Sequence, residues 1–64
     1  MKIPDYTNSE LIALIDERIH SERDREIMKR RLIDGLTQDM LSEEFGLSTR
    51  QIQRIIYKAQ NRLF

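Results

Sequence analysis

Residues 37–59 read TQDMLSEEFGLSTRQIQRIIYKA, and the fold turns on how they are parsed. They divide into two helices joined by a tight turn at Gly46. Ser48 is a natural N-cap for the second helix, and Gln51 three residues on can reach back to it, a reciprocal capping box that satisfies two otherwise orphaned amides. Leu47 before the cap and Ile52 beyond it form a hydrophobic staple that fixes the angle at which the chain enters the helix. Thr37 caps the preceding helix in the same way, with Leu36 and Leu41 as its staple, and Gly46 supplies the positive φ that ends it. The gap from Gly46 to Ser48 leaves room only for a sharp corner, whose angle Leu41, Phe45, Leu47, Ile52 and Ile55 fill. Two helices crossing steeply over such a turn make a helix-turn-helix over residues 37–59, the arrangement that offers its second helix to the major groove of DNA.

Upstream of this unit, Met1 to Tyr6 reads as a short arm in which Pro4 biases Ile3 away from helix. Thr7 and Glu10 form a second capping box, with Tyr6 and Leu11 as its staple, and open a helix that runs to about Ile19 or His20. Leu11, Ile12, Leu14, Ile15 and Ile19 lie on one broad apolar face, which reads as core. His20, the single histidine, falls at a helix C-terminus and reads as a dipole-compatible surface residue. Ser21 caps the next helix, which carries Glu22 and Asp24 in its first turn and Lys29, Arg30 and Arg31 near its end, a polarity that favours helix stabilisation over a nucleic-acid patch. Ile27, Met28 and Leu32 share a face; Ile33 points nearly the opposite way, either onto another helix or into a small contact surface. Asp34-Gly35 closes this helix.

The expectation is an all-α fold of four helices near 8–19, 22–34, 38–45 and 49–62, one domain over residues 1–64. Leu14, Ile15, Ile27, Leu32, Leu41, Phe45, Leu47, Ile52 and Ile55 should be largely buried. A chain of 64 residues without cysteine or tryptophan has no disulfide or thiolate-metal staple, and buries only roughly 60% of the surface its unfolded form exposes. One histidine, no cysteine, no Gly-rich phosphate loop and no metal-spaced cluster leave nothing from which to assemble an active site, so no catalysis, cofactor or metal is expected. The longest apolar run, Leu11 to Ile15, is a single helix face, so no membrane span is expected and the cytoplasm is the default location.

The 11 basic and 11 acidic residues are not evenly spread. Residues 47–64 carry Arg50, Arg54, Lys58 and Arg62 with no acid, a net +4, leaving −4 on residues 1–46. Such a dipole suits oriented docking on a polyanion. At about 100° per residue, Ile52, Ile55, Ile56, Ala59 and Leu63 fall on one side of the last helix while Arg50, Arg54, Tyr57 and Asn61 point away. Thr49, Gln53 and Gln60 flank the core on one side; Gln51, Lys58 and Arg62 flank it on the other. A basic stripe can simply keep a helix soluble, but solvated faces usually interleave both signs and this helix has no acid. Arginine can bond guanine bidentately, glutamine can bond adenine, and a threonine methyl can touch thymine.

From Ser21 to Leu63 the sequence SERDREIMKRRLIDGLTQDMLSEEFGLSTRQIQRIIYKAQNRL resembles region four of bacterial sigma factors and, more distantly, the DNA-binding domain of LuxR-type regulators. The shared features are an acidic-basic helix start, an apolar pair, a D-G-L-T junction and a G-L-S corner. The resemblance implies that Thr37 and Gln38 approach the DNA backbone while Thr49, Arg50, Gln51, Gln53 and Arg54 face the groove; Ser48 and Lys58 complete the expected DNA-binding set. Where the family usually has alanine, this chain has Ser42, small enough for the same helix crossing. The polymerase-core-binding regions of a complete sigma factor are absent from the sequence, so the resemblance implies a stand-alone regulator, of the kind found in a phage or mobile element.

Double-stranded DNA is therefore the expected partner. One recognition helix reads only a few base pairs, so useful specificity requires a homodimer or a tether to another protein such as RNA polymerase. Tyr57 is expected to contact either a phosphate or its own copy in a second subunit, since the last helix is the dimerisation element of the LuxR-type relatives. The competing reading is a protein-interaction module that uses the same fold to grip RNA polymerase or another factor.

Overall fold

A computed structural model describes residues 6–64, which form four helices: α1 (Asn8–Arg18), α2 (Glu22–Leu32), α3 (Gln38–Phe45) and α4 (Thr49–Leu63). The described residues contain no strand. The arm read over residues 1–6 lies, as far as residue 5, outside the described residues.

Each helix starts where a hydroxyl meets a free amide. Thr7 Oγ1 accepts from Glu10 N at 3.2 Å and Glu10 Oε1 accepts from Thr7 N at 3.0 Å, closing the first capping box. Those bonds hold the Glu10 carboxyl below the usual carboxylate range, the backbone amide of Thr7 acting most strongly. A depressed folded value means that the box stabilises the helix above the ordinary carboxyl pKa and loses that contribution as pH falls through the folded value. Ser21 accepts from Asp24 N. Thr37 accepts from Met40 N at 3.2 Å, but Met40 has no oxygen with which to answer, so this cap is one-armed.

Two ends differ from the sequence expectation. α1 stops at Arg18: Ile19 turns extended (φ −106°, ψ 119°) to drop its side chain into the core, where it is 3% exposed. His20 therefore sits in the connection, beyond the last turn. α2 stops at Leu32, and Gly35 at φ 72° redirects the chain.

Ile15, Ile27, Met28, Leu41 and Ile52 are fully buried and form one cluster with Ile19, Ile56, Ala59 and Leu63. Leu14, Leu32, Phe45, Leu47 and Ile55 are only half-buried around it, because a domain this small has no further layer to cover them. Ile12 was placed on the core face by periodicity yet is 38% exposed. All helix pairs pack except α1 with α3, so Ile12 faces a groove between those two helices.

The basic end of α2 ties the molecule together. Lys29 pairs with Asp16 of α1 at 3.0 Å, and Arg30 bonds Glu44 of α3 at 2.9 Å and Asp34 at 3.2 Å. Arg31 Nη1 donates to the Leu36 carbonyl at 2.8 Å. Each of the three is thus engaged within the chain. At the opposite corner Tyr6 stacks on Phe64, ring centroids 6.0 Å apart, and Arg18 donates to the Leu63 carbonyl.

Candidate nucleic-acid interface

The corner between α3 and α4 sets the direction of α4. Gly46 adopts φ 66°, and both its amide and that of Leu47 donate to the Ser42 carbonyl. The Ser42 hydroxyl then donates to the Leu47 carbonyl. A residue expected merely to fit thus clasps the turn from both of its polar groups. Ser42→Ala should still fold, since alanine fills the same space, but should lose about 1 kcal/mol of stability with the hydroxyl bond. Urea denaturation measures this; an unchanged midpoint would show that the clasp is matched by solvent.

Ser48 Oγ accepts from Gln51 N at 3.1 Å while Gln51 Oε1 accepts from Ser48 N at 2.9 Å. Ser48 and Gln51 are both exposed, but they are occupied with each other. A glutamine needs its carbonyl oxygen as well as its amide nitrogen to bond adenine bidentately, and the oxygen of Gln51 is committed to the cap. Gln53, exposed and without such a bond, keeps both atoms available.

Beyond the cap, Ile52, Ile56, Ala59 and Leu63 anchor α4 on the core. Thr49, Arg50, Gln53, Arg54, Tyr57, Lys58, Asn61 and Arg62 are exposed, Tyr57 by 67%. Among the described residues none of Arg50, Arg54, Lys58 and Arg62 forms an ion pair. The contrast with α2 is physical: two of its bases pair with acids on neighbouring helices, whereas among the described residues no acid pairs with the cations of α4.

Two other elements flank this helix. On one side stands the start of α3, with Thr37 exposed and Gln38 half-buried. The Thr37 oxygen is used in its cap, leaving the hydroxyl proton to donate. On the other side runs the start of α2. Arg23 shares a cleft with Leu47, Gln51, Arg54 and Ile55, and His20, Ser21 and Asp24 share a second with Lys58, Ala59 and Arg62. Arg23 bonds Asp24 at 3.2 Å and is exposed. Sequence reasoning passed it over, although a cation in an acidic first helical turn, where the dipole disfavours it, was a usable signal.

Among the described residues no group of His, Asp and Glu side chains is arranged to hold a metal, and no helix is long and apolar enough to cross a membrane. No curated protein and no solved structure matches the chain. Residues 21–64, well over half of its length, match the family model described as sigma-70, region 4, a DNA-binding, non-catalytic helix-turn-helix domain. Helices α2 to α4 lie within that match, and the chain belongs to the sigma-70 region 4 family.

Proposed function

We propose that this protein is a sequence-selective DNA-binding regulator of transcription that lays α4 in the major groove. The observation that carries this is the row of four exposed cations on α4, none of which forms an ion pair among the described residues. Arg50 and Arg54 are assigned to base edges, as guanine partners, with Thr49 and Gln53 beside them. Thr37 and Gln38 hold one phosphate strand; Lys58, joined by Arg23, holds the other. Ser48 and Gln51 act chiefly by fixing where α4 begins. Selecting bound sequences from a random duplex pool, with a salt series on the winners, tests the reading. An enriched motif and a steep salt slope support it; binding without sequence preference overturns the selectivity.

A second reading rests on a separate surface. The groove between α1 and α3 exposes Ile12 beside Ile33 and Phe45, on a side of α2 where Lys29 and Arg30 are already paired. Region 4 domains bind RNA polymerase as well as DNA, and an apolar groove with a polar rim suits a protein partner. Such a tether would supply the specificity that one recognition helix lacks. The alternative source is a homodimer through Tyr57 and Asn61 of α4, since tyrosine offers rigid amphipathic area at low entropic cost. Sedimentation of wild type and Tyr57→Ala, with and without DNA, should then show a wild-type dimer on DNA that the variant fails to form. Two monomers that bind DNA equally well would remove Tyr57 from the interface and leave the tether.

A further inference from the structure

His20 lies one residue before the segment that matches the family model, and the corner that carries it is fixed. Ile19 on one side is 3% exposed in the core, and Ser21 on the other caps α2. The His20 carbonyl also accepts from Arg25 Nη2 at 3.2 Å. His20, itself exposed, therefore lines from a fixed position the cleft it shares with Lys58 and Arg62 of α4.

We propose that this cleft seats a DNA backbone phosphate and that His20, when protonated, is a third cationic contact to it. The inference rests on the DNA-binding reading above. Lys58 and Arg62 stand on the flank of α4 along which the start of α2 runs, where a strand bordering the groove would pass. The charged groups around the imidazole are Asp24 and Arg25 from α2 and Lys58 and Arg62 from α4. Asp24 opposes an anion there, but its carboxylate is bonded by Arg23 at 3.2 Å, which offsets the repulsion. Imidazoles ordinarily change charge between about pH 5 and 8, and the protonated ring donates from both nitrogens. Protonation would add one cation to a surface that already holds two.

The test is the affinity of wild type, His20→Gln and His20→Lys for a mixed-sequence duplex, measured at about pH 6 and about pH 8 over a salt series. Wild type should bind about 3- to 10-fold more tightly at the lower pH, with a salt slope steeper by about one unit. His20→Gln should lose that difference while other titrating groups remain common to both proteins. His20→Lys should bind tightly at both pH values, a gain that misfolding cannot mimic. An equal pH response in wild type and His20→Gln, or no gain in His20→Lys, overturns the phosphate contact while leaving DNA binding in place. Absence of DNA binding in all three proteins at both pH values overturns the DNA-binding reading and the contact with it.

Discussion

Ile52→Ala should cost roughly 2–5 kcal/mol, the range for truncating a buried aliphatic side chain, and lower the melting temperature substantially. Ile52 is 0% exposed and stands four residues beyond the Ser48 cap, so its side chain is where the corner between α3 and α4 meets the core cluster. At roughly 0.05–0.15 kcal/mol per residue, a domain of this size has a total stability of about 3–10 kcal/mol. One cavity therefore removes from about a fifth to all of it, with no disulfide to retain the fold. Met40→Ala is the matched control: Met40 is 56% exposed and its loss should change stability by less than about 0.5 kcal/mol. Thermal denaturation of both variants followed by circular dichroism decides the matter. Comparable losses in the two would mean that the cluster around Ile52 is not what holds the domain together.

What was legible in the sequence was legible because it is local. Capping by Thr7, Ser21, Thr37 and Ser48 and the positive φ of Gly46 depend on residues within a few positions of one another, and all appear as read. The four helices follow, displaced only at C-termini. What escaped was set by which helices touch. A helical wheel cannot know that α1 and α3 fail to pack, so it buries Ile12; nor can it know that Asp16 and Glu44 reach Lys29 and Arg30 from neighbouring helices, so it credits those bases to the helix dipole alone. The flank formed by His20 and Arg23 escaped for the same reason, because nothing in the spacing of residues 20–24 places them beside residues 54–62. Ser42 is the intermediate case. Its size was read correctly, while its bond to the Leu47 carbonyl requires the geometry of the turn.

The two kinds of cation on α4 should separate in their effect on DNA. Arg50→Ala and Arg54→Ala should each weaken binding to the selected site by about 1–3 kcal/mol, some 5- to 150-fold, while changing binding to random duplex far less. Discrimination of this size comes from a bidentate bond that a wrong base cannot reciprocate, and it needs a guanidinium with no competing partner in its own chain; neither arginine has one among the described residues. Lys58→Ala should instead weaken binding to selected and random duplex alike and lower the salt slope by about one unit, since a phosphate contact releases a counterion whatever the sequence. The two signatures cannot substitute for each other. If neither arginine alters the preference for the selected site, α4 is not reading bases, and its charge serves an acidic protein surface in place of the groove.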